Sequence, residues 1–171
     1  MKIDTLCFLD PYAILDNALI ENEEVAINEL ELYKKFGGNS IVDCTPDEIG
    51  RNPEKLKRIS ELTGVNIVMG CGHYYNITHS EKTKNSSVKE FAEEMRKDLT
   101  VGACGTDIKA GLIGEVGTSA NISKSERKVV HAAGIVSSEL DKAVHIHTDL
   151  YTENGYEIVK ILTILSVRQF T

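Results

Sequence analysis

The sequence predicts an α/β fold built on a parallel sheet, and three observations carry that prediction. Four short apolar runs alternate strictly with five helix-length amphipathic segments. The runs are apolar on both faces, the pattern of parallel strands that are covered on both sides. Two of them, Ala110 to Gly117 and Ala143 to Thr148, each deliver a metal-binding side chain near their C-terminal end. Ligand sites in α/β folds lie outside the carboxyl ends of the strands.

Residues 22–36 place Val25, Leu30, Tyr33 and Phe36 at helical spacings, and Gly37-Gly38 stops the run. Residues 40–45 (SIVDCT) read as a buried strand. Asn52 is a good N-cap with Pro53 at the first helical position, and that helix runs to Gly64, a natural stop. Residues 65–71 (VNIVMGC) form the next strand. The polar stretch from His73 to Ser86 reads as a long, solvent-exposed loop.

Ser87-x-x-Glu90 is a capping box that opens a helix ending near Leu99, because the serine and glutamate side chains can each satisfy an orphan amide of the first turn. The strand 110–117 follows. Ser123-x-x-Glu126 is a second capping box, and its helix runs towards Leu140 despite Gly134. The strand 143–148 comes next, then a helix from about Glu153 to Leu165. Right-handed β-α-β units of this size build either a doubly wound sheet or a (βα)8 barrel. No G-x-G-x-x-G turn or Walker A motif follows any strand, which argues against a nucleotide site.

The 171 residues are 42% hydrophobic and 26% charged, a globular composition. A chain of this size can bury roughly 68–70% of its unfolded surface, so one domain is the default. The net charge of −7, from 26 acidic and 19 basic residues, disfavours a nucleic-acid or anionic-membrane partner. No basic segment followed by an apolar stretch opens the chain, and no apolar run reaches the ~18 residues of a membrane span. Cys7, Cys44, Cys71 and Cys104 are dispersed without a C-x-x-C pair, which argues against a zinc–cysteine site. A reduced, cytoplasmic setting is expected.

His145 and His147 are two apart on a strand, so both point to one face. His147 is read as a metal ligand. His145 lies one layer deeper and reads as a hydrogen-bonded interior residue. Glu115 stands between Gly114 and Val116-Gly117 at the end of an apolar run, where a carboxylate is costly unless it is paired or bound to a cation. A metal is the reading preferred there, and a salt bridge to lysine or arginine is the alternative. Asp43 is expected to orient a neighbour by hydrogen bonding, and His73 to be a structural or solvent-exposed residue near the rim. His79, in a polar loop, and His131, inside a helix, are read as unrelated to the chemistry.

Five strings carry a family resemblance: GGNSIVDCT at 37–45, IGRNPEKL at 49–56, ISELTGVNIVMGCGHYY at 59–75, AGLIGEVGTS at 110–119 and VHIHT at 144–148. In this order and spacing the chain resembles the phosphotriesterase family of the amidohydrolase superfamily, and its homology-protein branch in particular. The resemblance implies a (βα)8 barrel with two divalent metals at its C-terminal rim, zinc being the expected ion. It also implies hydrolysis of a small ester, lactone or phosphoester by metal-activated water. Glu115 matches the strand-four position that bridges the metals, and His147 the strand-five histidine. His145 matches no family ligand.

The family's strand-one H-x-H pair has no counterpart in residues 1–10, its strand-six G-H-x-D segment and strand-eight aspartate are missing, and the likeness stops after about Leu162. The expected fold class is therefore a partial (βα)8 TIM barrel of about four parallel strands with flanking helices. The expected domain is a single incomplete one over residues 1–171, as a truncated or frameshifted gene would produce. The resemblance implies weak metal binding, with an inactive remnant or an α/β interaction fragment as the alternative. Self-association through open sheet edges is expected.

Overall fold

The computed structural model describes residues 22–164. Helix α1 (Glu23–Lys35) is followed by β1 (Ser40–Asp43), a 3-10 turn (Asp47–Ile49), α2 (Pro53–Thr63) and β2 (Asn66–Cys71). The short α3 (Glu81–Asn85) and α4 (Val88–Thr100) lead to β3 (Leu112–Gly117), α5 (Lys124–Leu140), β4 (Val144–His147) and α6 (Asn154–Ile164). The four strands pair in sequence order, all parallel, as a curled half-barrel flanked by the helices. The barrel alternative is therefore the one adopted.

The ends of these elements follow local chemistry. Asn52 accepts from Lys55 N at 3.0 Å, Pro53 occupies the first turn of α2, and Gly64 closes it with φ +64°. Both capping boxes form, Ser87 with Glu90 and Ser123 with Glu126. Phe91, Met95 and Leu99 recur at four-residue steps on α4 and lie in the core, as one face of a 3.6-residue period requires.

That core fills the space between the sheet and helices α4 and α5. Met69, Cys71, Ile113 and Val116 of the strands meet Phe91 and Met95 of α4 and Val129, Val130 and Val136 of α5. Each such fully buried side chain contributes about 1.5–3 kcal/mol. Met69 and Cys71 face this core, so Val68 between them faces the opposite, concave side by strand alternation. Val42 pairs with Val68 and shares that side. The two valines are 56% and 38% exposed.

Three expectations need correction. The stretch from His73 to Ser86 is solvent-exposed only in part: His73, Tyr74 and His79 are buried, and the short α3, with no buried residue, lies within it. Local polarity misled there, because the polar side chains find buried partners in other elements. Residues 40–45 do not form a buried strand: no residue of β1 is buried and Val42 is 56% exposed, because one face of β1 lies on the open concave side. Among the described residues the helices number six rather than five, through α3. Cys7, the absence of histidine in residues 1–10 and most of the expected departure after about Leu162 lie outside the described residues.

Candidate metal centre

Glu115 lies at the register irregularity of β3 between Ile113 and Val116, where β3 passes close to the end of β2. A Cβ at Gly70 would run into the Gly114 carbonyl, and one at Gly72 would run into the Glu115 carbonyl. Only glycine at both positions admits this approach. Glu115 N donates to Cys44 O at 3.0 Å, so β3 is tied to the end of β1 beyond its neighbour. The Gly114–Glu115 peptide is cis.

On β4 both histidines face this carboxylate. His147 Nδ1 lies 3.3 Å from Glu115 Oε1, and His145 Nδ1 lies 4.0 Å from Oε2. The Glu115 side chain is 17% exposed, that of His147 27% and that of His145 54%. Among the described residues the Glu115 carboxylate is set against these two imidazoles and forms no salt bridge to lysine or arginine. His147 is also contacted from two sides. The Tyr74 ring stands edge-on to its imidazole at 5.4 Å, while Thr118 N and Oγ1 donate to its carbonyl at 2.9 and 3.3 Å.

A carboxylate set against imidazoles suits a divalent cation in donor type. They fall short in number: among the described residues no group of three or more His, Cys, Asp or Glu side chains is placed to hold a metal ion. Asp43 does not join them. Its Oδ1 accepts from Thr45 N at 2.8 Å and closes its own turn. Cys44 is half-buried beside Glu115, and burial together with that carboxylate raises its thiol to about 11. Cys71 is buried in the core and Cys104 is exposed.

A second ionic cluster lies behind β2. His73 Nδ1 pairs with Glu48 Oε1, and His73 Nε2 lies 3.5 Å from Glu94 Oε1. Burial alone would lower the His73 pKa, but hydrogen bonds to the two carboxylates outweigh it and raise it to about 9. Nearby, Arg51 pairs with Asp98 at 2.8 Å and donates to Gly70 O at 3.2 Å, both side chains being buried. Sequence reasoning missed these pairings, since no spacing links residues so far apart. His79 bridges Tyr74 O and Ser125 Oγ, at 2.8 and 3.0 Å, and His131 is exposed on α5.

The model of the phosphotriesterase family matches residues 1–167, so the likeness runs past Leu162, where the sequence strings predict that it stops. An N-acetyltaurine hydrolase of Xenopus tropicalis is 38% identical over 154 residues, covering 90% of this chain and 44% of that protein. The chain thus spans less than half the length of such curated relatives. Among solved structures, a resiniferatoxin-binding protein from Rhodobacter sphaeroides superposes with a TM-score of 0.85 at 31% identity, over 87% of this chain and 42% of that one. The phosphotriesterase homology protein of Escherichia coli, solved with phosphate in its active site, superposes with a TM-score of 0.82 at 28% identity, over 88% and 52%.

Proposed function

Since the chain belongs to the phosphotriesterase family, we propose that Glu115 and His147 are ligands of a divalent metal, zinc first, in a hydrolase of small molecules. The observation that carries this reading is the half-buried Glu115 carboxylate, set against imidazoles rather than a basic side chain. A divalent ion held there would polarise the scissile bond and acidify water. The chain's own residues would hold the His147 imidazole for it: Thr118 bonds the His147 backbone, and Tyr74 packs against its ring. The relatives' name adds an N-acyl amide to the ester, lactone and phosphoester classes expected from sequence.

The test is metal analysis of the purified protein, coupled to turnover of N-acetyltaurine, a lactone panel and nitrophenyl esters and phosphoesters. Stoichiometric metal with turnover that is lost in Glu115→Ala supports the reading. A metal-free protein inactive on every class overturns it and favours a non-catalytic chain. That second reading draws on the short donor count among the described residues.

Two further parts of the proposal concern setting. The exposed Val42 and Val68 support self-association of the 171-residue polypeptide through its open sheet. The free Cys44, Cys71 and Cys104 support a cytoplasmic location. No described helix is long and apolar enough to cross a membrane.

A further inference from the structure

Glu126 has no exposed surface, and no lysine or arginine forms an ion pair with it among the described residues. Its carboxylate accepts instead from three backbone amides in three places: Asn76 at 2.8 Å, Ser119 at 3.1 Å and Ser123 at 2.6 Å. Ser119 Oγ donates a fourth bond at 3.0 Å. A capping box requires only the Ser123 bond. The other three bonds reach outside the helix, to the segment after β2 and the segment after β3.

Those two segments are the ones that hold His147. The segment after β2 carries Tyr74, whose ring meets the imidazole, and the segment after β3 carries Thr118, which donates twice to the His147 carbonyl. Further bonds tighten the same junction. His79 links Tyr74 O to Ser125 Oγ, and Asn154 Nδ2 donates to Ser119 O at 2.8 Å. A buried carboxylate satisfied by fixed N–H donors forms strong, charge-assisted bonds, and its loss leaves each donor unsatisfied.

We propose that Glu126 is a positioning residue for His147: it gathers the segments after β2 and β3 onto the start of α5 and so holds Tyr74 and Thr118 against that histidine. The inference rests on the reading of His147 as a metal ligand only for its functional meaning. Its geometry can be tested without metal.

The experiment compares the full chain with Glu126→Gln, whose amide group turns a donor towards the amides that Glu126 serves. In metal-free protein, nuclear Overhauser contacts between the Tyr74 and His147 rings are expected to disappear in E126Q while those around Phe91 in the core persist. Retention of the Tyr74–His147 contacts overturns the proposal. Cobalt titration adds the functional readout, with an expected fall in affinity of about tenfold, as for outer-shell partners of metal ligands. That fall should vanish in a His147→Ala background, and an equal fall in both backgrounds overturns the proposal. A parent chain that binds cobalt no better than His147→Ala sinks the ligand reading alone, leaving the ring contacts to decide the role of Glu126. If E126Q does not fold, Ser119→Ala, which removes one of the four bonds, is expected to weaken the ring contacts. Unchanged contacts in that variant count against the proposal.

Discussion

Glu115 and His147 meet at 3.3 Å from adjacent parallel strands. The register accounts for it. Val116 pairs with Ile146 and Gly117 with His147, so the Glu115 carboxylate lies beside both imidazoles of β4. Removing either residue should weaken binding of zinc or cobalt by at least about the tenfold typical of outer-shell losses. Calorimetric titration of Glu115→Ala and His147→Ala checks it. His145→Ala should lose less, since its nitrogen stands farther off and its side chain is more exposed. An equal loss would make His145 a ligand too.

The His73 cluster predicts a dependence of stability on pH. Its folded pKa is raised from 6.5 to about 9, so the folded state binds its proton more tightly than the unfolded chain does. The stabilisation is fully present below about pH 6.5 and is lost as pH rises through about 9. Because the side chain is buried, the effect is on the order of a few kcal/mol. Urea unfolding of the parent and of His73→Gln between pH 6 and 10 should show a decline in the parent that the variant lacks.

Arg51 and Asp98 predict a different signature. Both are buried, so Asp98→Ala leaves an uncompensated guanidinium and should cost about 3–5 kcal/mol. The double variant Arg51→Met, Asp98→Leu should recover most of that loss, because a packed apolar pair replaces two desolvated charges. Equilibrium unfolding in urea measures both.

Val42 and Val68 predict association. Their exposure on the concave side of the sheet, as the described residues form it, predicts self-contact through that side, by the same logic that makes open edges an aggregation hazard. Sedimentation velocity of the 171-residue polypeptide should show species above monomer, reduced by Val42→Ser with Val68→Ser. A sharp monomer boundary at all concentrations removes the expectation.

Much of the fold was legible because its signals are local. Asn52-Pro53, Ser87 with Glu90 and Ser123 with Glu126 each mark a helix start through atoms within a few residues of one another. The Glu115 and His147 pair was legible because a parallel sheet sends both strand ends to one rim. His145 was set aside in sequence, yet it stands at the second oxygen of Glu115. Glu48 and Glu94 gave no sign of meeting His73, and the second duty of Glu126 was hidden behind its capping role.

From residue order alone came the alternation of strands and helices, the parallel sheet and the two side chains at its rim, since periodicity, caps and strand direction act over short spans. Packing in three dimensions settled the rest. It buried His73, Tyr74 and His79 of the polar segment after β2 and matched His73 with two carboxylates. It also let β3 close on β2 through Gly70 and Gly72, and it set Glu126 between two rim segments. Each of these depends on which distant surfaces come into contact, and on burial strengthening a charge pair that water would otherwise screen.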